Sequence, residues 1–451
     1  MNRSFSALLV FIVLSIIGLQ SCVTEPKFAA LAPGMWRAEL TLESDLNSQE
    51  FVPRKRTDEF QFEEVTEGKL PFTFEVIYNS DTTFYLEIIN GEERIRVDDI
   101  IYGWDRVKGQ DTVIINFPHY QSRIEAIFEE RVMEGRWIVE TRNNYSIHFL
   151  ARHGQDYRFS TLRKPPAVDV SGAWEVTFNG DPKYKEEPYK AIGEFQQDGN
   201  ALTGTFRTET GDYRFLEGNI LANKLYLSVF DGSHAFLFEA AIREDESLIG
   251  AFWSGKHYKT TWEAKRNSDF ELASPYELTY LNEGYDRVEF GFPNSKGQII
   301  GPNDPNYQNK VRIIQILGTW CPNCADETAF LTNWLAENQP NDLEVIGLAF
   351  EKNRDSTKAW EAISRYKERF DIPYEILLVN GSSSKKEASD LLPMLNEVIS
   401  YPTMIMIDKQ DRVAKIHTGF SGPATSKYED FVESFEATIS ALRTAEVSNV
   451  Q

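Results

Sequence analysis

The chain has 451 residues, more than one hydrophobic core organises, and at roughly 150 residues per domain it should hold about three units. A formal charge of −22 argues against a nucleic-acid partner, because phosphate recognition needs a basic face. The cysteines are Cys22, Cys321 and Cys324, and the six histidines (His119, His148, His153, His234, His257, His417) are scattered. That inventory makes no four-ligand zinc site and no disulfide framework, so no metal is expected.

The first element is an address. Arg3 precedes an apolar run from Phe5 to Leu19, which is 15 residues and short of the about 20 that a membrane helix needs. Leu19-Gln20-Ser21-Cys22 follows, and it resembles a bacterial lipobox, with Leu three residues before the Cys and a small residue at the cut. On that reading residues 1–21 are a leader, Cys22 carries the lipid, and residues 22–32 tether the protein to a membrane of the cell envelope, facing the periplasm. A plain secretory leader with an incidental Cys22 is the competing reading.

Residues 33–163 alternate apolar and polar side chains with many aromatics, as in Trp36-Arg-Ala-Glu-Leu-Thr-Leu42 and Phe72-Thr-Phe-Glu-Val-Ile-Tyr78. Period-two runs bounded by Gly, Asn and Asp predict strands and hairpins. Arg163-Lys-Pro-Pro-Ala167 reads as a linker. Residues 168–266 echo the first unit in the same order. Gly34-Met-Trp36 matches Gly172-Ala-Trp174, Gly91–Ile95 matches Gly211–Phe215, Asp111–Phe117 matches Lys224–Phe230, and Met133–Trp137 matches Leu248–Phe252. Each unit should be a mainly-β domain, barrel-like or sandwich-like. Neither shows a polar constellation for chemistry. They stand as a platform for a substrate or partner, or as spacers that carry the last unit away from the membrane.

Residues 274–451 change pattern to strands alternating with helices. Val311–Leu317 is a continuous apolar run, as in a central parallel strand. A helix should start at Cys321 and run to Asn338, with Phe330/Trp334 and Leu331/Leu335 on one face. Leu343–Phe350 is a strand, Thr357–Phe370 a helix, Tyr374–Val379 a strand, Thr403–Asp408 and Val413–His417 a hairpin, and Ser426–Arg443 a last helix. This is the order of an α/β thioredoxin-like fold.

Gly318-Thr-Trp-Cys-Pro-Asn-Cys324 lies where a buried strand feeds a helix N-terminus. A thiolate is the nucleophile in disulfide exchange, and free N–H groups with the positive helix end stabilise an anion there. Cys321 is therefore the expected attacking thiol. Cys324, one turn in, is the expected resolving thiol. Pro322 suits the first turn, where its missing N–H is no loss. Pro402 in Ser400-Tyr-Pro-Thr403 is either a cis-proline beside the Cys pair or an ordinary strand-edge proline.

The residues Trp320-Cys-Pro-Asn-Cys324, Glu327 and Tyr401-Pro-Thr403 make residues 285–445 resemble the TlpA/ResA-like branch of the thioredoxin family. The resemblance implies an exported thiol–disulfide oxidoreductase, a reductase of protein disulfides. It implies no cofactor beyond a redox-active Cys321–Cys324 disulfide. Trp320, Pro322, Asn323, Tyr401, Pro402 and Thr403 would support the substrate. Envelope protein thiols and disulfides and an upstream electron-donating redox protein would be the partners. Glu327 matches the family's active-site glutamate and would take the proton of Cys324; as a first-turn acid it is also favoured by the helix dipole alone. Two positions depart from the family: Ala329 replaces a helix-kinking proline, and Gln315 replaces a buried Asp or Asn, leaving Glu327 as the nearest base. A thiol peroxidase is the rival enzyme, but Gly318 and Ile314 stand where its motif has Thr and Pro. A binding lipoprotein with an idle redox domain is the non-enzymatic rival.

Overall fold

The computed structural model describes residues 30–43, 65–107, 109–129, 131–162, 164–379 and 383–445. The leader, Cys22 and most of the expected tether lie outside these residues.

In the first unit, alternation puts Trp36, Ala38 and Leu40 on one buried face of β1 (Gly34–Thr41). The strands β2 (Lys69–Tyr78), β3 (Phe84–Asn90), β4 (Glu93–Val97), β5 (Ile100–Asp105), β6 (Gln110–Phe117), β7 (Ser122–Glu129), β8 (Val132–Val139) and β9 (Ser146–His153) follow. They form one antiparallel sheet in the order β4-β3-β2-β1-β9-β8-β7-β6-β5, a curled meander left open between β4 and β5.

The second unit repeats the plan strand for strand: β10 (Gly172–Phe178), β11 (Tyr189–Asp198), β12 (Ala201–Thr208), β13 (Gly211–Asp212), β14 (Leu216–Leu221), β15 (Lys224–Phe230), β16 (Ala235–Ile242), β17 (Leu248–Ser254) and β18 (Tyr258–Arg266). Here β12 pairs with both β11 and β14, whereas its counterpart β3 pairs only with β2 and β4, so the sheet closes into a barrel. Closure removes the edges that an open sheet leaves unpaired. The four sequence echoes fall at equivalent strands. The indole N–H of Trp36 donates to the Ala32 carbonyl (2.9 Å), and that of Trp174 donates to Val170 (2.8 Å).

The units are not separate beads. Tyr226, Phe230, Ala235, Leu237 and Trp253 on the outside of the barrel complete the core of the open sheet. Phe230 stacks on Phe72 with ring centroids 4.3 Å apart. The buried Arg158 ties the units further, donating to the carbonyls of Ile89 (2.9 Å) and Ser228 (2.9 Å).

The C-terminal unit opens on a short pair, β19 (Phe292–Pro293) and β20 (Ile299–Ile300). Its main sheet holds β21 (Val311–Leu317), β22 (Leu343–Phe350), β23 (Glu375–Val379), β24 (Thr403–Ile407) and β25 (Val413–Thr418), in the order β23-β22-β21-β24-β25. The first three are parallel and β24 and β25 antiparallel. The helices are α1 (Pro322–Asn338), α2 (Ser356–Arg369), α3 (Lys385–Leu391) and α4 (Tyr428–Thr444). The expected thioredoxin-like order is present. The structure adds α3, which buries Ala388 alone and so carries no apolar stripe for periodicity to detect. α1 runs unbroken through Ala329, where the family's proline would kink it.

Candidate functional site

β21 is buried along its whole length and delivers the chain to the start of α1. Cys321 is the N-cap of that helix, and its sulfur accepts the N–H of Cys324 at 3.2 Å. Both cysteines are free thiols. Cys321 is 7% exposed and Cys324 is 0% exposed, so the order of access follows the order in the chain. The Cys321 thiol donates to the Tyr401 carbonyl at 3.5 Å, and the Tyr401–Pro402 bond is cis. Burial and the neighbouring Cys321 push the Cys324 thiol far up, so Cys324 needs a proton acceptor to react.

Glu327 lies behind the pair, fully buried on α1. Burial pushes its carboxyl up to about 8, opposed only by the amide of Gln315, which donates to Oε2 at 3.0 Å. Its Oε1 has no hydrogen-bond partner among the described residues. Gln315 is held in turn by the Tyr374 hydroxyl (2.9 Å), and the Tyr366 hydroxyl donates to Thr328 (2.8 Å). A carboxyl held near neutrality inside this network is fit to exchange a proton at working pH.

The remaining sequence-predicted residues surround the pair. The Trp320 indole N–H donates to the Phe350 carbonyl (2.9 Å), and its ring meets Tyr401 edge-on at 5.6 Å. Pro322 fills the first turn. The Thr403 hydroxyl donates to the Ser400 carbonyl at 2.8 Å. Asn323 faces the second β unit, packed against Gly211 so closely that a β-carbon there would lie 1.9 Å from its Nδ2.

That last contact brings the β units, which the sequence left as platform or spacer, onto the site. A cavity of about 380 Å³ lies over Cys321, and all three units line it. The C-terminal unit contributes Trp320, Cys321, Lys352 and Tyr401, the first unit Arg142 and Tyr145, and the barrel His234 and His257. The β12–β13 hairpin forms one wall. The Thr210 carbonyl accepts the Ser400 hydroxyl (2.8 Å), and the Asp212 carboxylate accepts the Gly422 N–H (2.6 Å). Arg214, just beyond, is buried among Asp326 on α1 (2.6 Å), Glu93 on β4 and Asp231 (3.4 Å).

Sequence reasoning also missed Lys352. Its ammonium lies 4.2 Å from the Trp320 ring centroid, and crowding by protein atoms and then the Arg142 charge push it down to about 8. A signal existed, since Glu351-Lys352 follows β22 at the carboxyl edge of the sheet, where α/β sites gather. Glu351 itself is buried and accepts the N–H (2.9 Å) and hydroxyl (2.8 Å) of Thr319, fixing the approach to Cys321. Among the described residues, no group of three or more His, Cys, Asp or Glu could hold a metal ion.

Residues 293–432 match the family model described as Redoxin. The C-terminal unit is therefore a thioredoxin-like Redoxin domain, joined here to two mainly-β units. Its fold is also similar to solved structures. A thiol-disulfide oxidoreductase from Bacteroides fragilis is 15% identical over 33% of this chain and 99% of that one, with a TM-score of 0.26. A thiol:disulfide interchange protein from Chlorobium tepidum is 14% identical over 36% and 98%, at 0.27. A secreted Mycobacterium tuberculosis disulfide oxidoreductase is 14% identical over 34% and 96%, at 0.25. No curated protein sequence matches the chain.

Proposed function

We propose that this protein is a thiol–disulfide oxidoreductase of the cell envelope, anchored through a lipid on Cys22 and working as a disulfide reductase. The observation that carries the chemistry is a dithiol at a helix N-terminus with a buried acid behind its inner thiol. Cys321 attacks one sulfur of a substrate disulfide, and the first substrate thiol leaves with a proton. Glu327 in its ionised form takes the proton of Cys324, Cys324 attacks the Cys321 sulfur, and the second thiol leaves with that proton. The substrate gains two electrons and the protein keeps a Cys321–Cys324 disulfide. A donor dithiol protein of the envelope returns the electrons.

The test traps the intermediate. In cells, Cys324→Ala should accumulate mixed disulfides through Cys321 in the membrane fraction, while Cys321→Ala should not. A double variant, Cys22→Ser with Cys324→Ala, should carry the same adducts in the soluble envelope fraction. Equal trapping by both single variants would overturn the assignment of roles, and adducts that stay with the membrane without Cys22 would overturn the anchor.

A further inference from the structure

A disulfide reductase that served folded proteins would present Cys321 on an open surface. Here the β12–β13 hairpin sits on Asn323 in the first turn of α1 and on the loops that carry Ser400, Gly419 and Gly422. A β-carbon at Gly419 would come within 2.8 Å of the Thr210 backbone, and one at Gly211 would strike Asn323. What remains over the thiol is the cavity of about 380 Å³. That is room for roughly a dozen water molecules, or for one small ligand.

The charges in the cavity are as selective as its size. Arg142 and Lys352 line its solvent-exposed rim, and neither is in an ion pair with a carboxylate among the described residues, although the buried Glu351 lies close enough to act on the Lys352 charge. Each rests on an aromatic ring instead, Arg142 at 5.4 Å from the Tyr145 centroid and Lys352 on Trp320. Two unpaired cations side by side repel each other, and in a chain of net charge −22 acids to neutralise them are plentiful. Asp212, an acid in the lining, is already engaged by the backbone N–H groups of Gly422 and Arg214. His257 is held neutral by burial and shares a hydrogen bond with Tyr145 (3.1 Å). Tyr401 is 7% exposed and lines the cavity, and its buried hydroxyl has no hydrogen-bond partner among the described residues.

We propose that the cavity binds a low-molecular-weight disulfide bearing carboxylates, with Arg142 and Lys352 receiving the carboxylates and Cys321 attacking the sulfur between them. This rests on the dithiol chemistry above and narrows its substrate from protein disulfides to small anionic ones. The exchange balances as before, two substrate thiols being released for each Cys321–Cys324 disulfide formed.

The experiment uses the full chain, reduced with dithiothreitol and desalted, in single turnovers with three small disulfides. They are dianionic 3,3′-dithiodipropionate, neutral bis(2-hydroxyethyl) disulfide and dicationic cystamine, each rate divided by that of the same disulfide with free dithiothreitol. Folded insulin is the fourth substrate. The expected order is anionic, neutral, cationic, spanning at least tenfold, with insulin slowest. Arg142→Ala and Lys352→Met should each shrink the span by slowing the anionic disulfide more than the other two. Equal normalised rates for the three, a span unchanged in both variants, or insulin outpacing the anionic disulfide would overturn the proposal. Failure of the neutral disulfide to oxidise the cysteine pair would overturn the dithiol reading itself.

Discussion

At the scale of single residues, Glu327 makes the sharpest statement. Its folded value of about 8 stands above its ordinary 4.5, so the folded protein holds the proton more tightly than the unfolded chain. The stabilising contribution is fully present below about 4.5 and is lost as pH rises through about 8. Glu327→Gln mimics the protonated form. It should melt with the native protein at pH 4.5 and be more stable at pH 8, by on the order of 4 kcal/mol. The same variant should slow the resolving step on the order of 100-fold, because an amide accepts no proton from Cys324. Thermal melts at the two pH values and stopped-flow release of the second thiol check both halves. A variant that is slow but no more stable at pH 8 would mean that Glu327 is ionised in the folded protein. The residue was legible because its spacing from Cys324 is local. The network that sets its proton affinity was not, since Gln315, Tyr366 and Tyr374 reach it across the sheet.

At the scale of elements, the β units show how a duplicated plan is held by matching close approaches. A β-carbon on Gly135 would lie 2.0 Å from the Glu125 carbonyl, and one on Gly250 1.9 Å from the Glu239 carbonyl. In both units a glycine on one strand lets the backbone of its neighbour pass. Since the obstruction is backbone, it cannot swing aside, and overpacking of this kind costs about 1–3 kcal/mol. Gly135→Ala and Gly250→Ala should each lower the urea midpoint, with far-UV circular dichroism at zero denaturant unchanged. A midpoint equal to that of the native protein would show that the strands can part freely. Alternation in the sequence was enough to predict strands here. The choice between a closed barrel and an open sheet was not available to it, because that depends on whether β12 meets β14 and whether β4 meets β5.

At the scale of the whole molecule, Arg214 joins all three units. One guanidinium from the barrel meets Asp326 on α1, Glu93 of the first sheet and Asp231 of its own unit. Burial pushes Asp326 up to about 7 despite the pairing, which shows how costly these acids would be without it. Arg214→Ala leaves buried carboxylates facing one another, and breaking such a network costs about 3–5 kcal/mol. The expected result is uncoupling. Calorimetry should resolve a separate transition for the C-terminal unit, and limited proteolysis should cut between residues 267 and 275. A single transition shifted as a whole would mean that the shared apolar contacts, not the ion network, couple the units.

What the sequence by itself determined is what depends on neighbours along the chain. The strand before Cys321, the helix after it, the one-turn spacing to Cys324 and Glu327, and the alternation of the β units are all local patterns, and local patterns survive in a one-dimensional reading. Only the tertiary structure decided what stands over the thiol. Arg142 and Lys352 come from different units and carry no motif, and Arg142 by itself reads as an exposed loop charge. Their role comes from packing. Apolar surface on the outside of the barrel is buried in the open sheet, and the hairpin then lands on the active-site loops. The hydrophobic effect that drives this is non-directional, and no run of neighbouring residues records where two such surfaces meet.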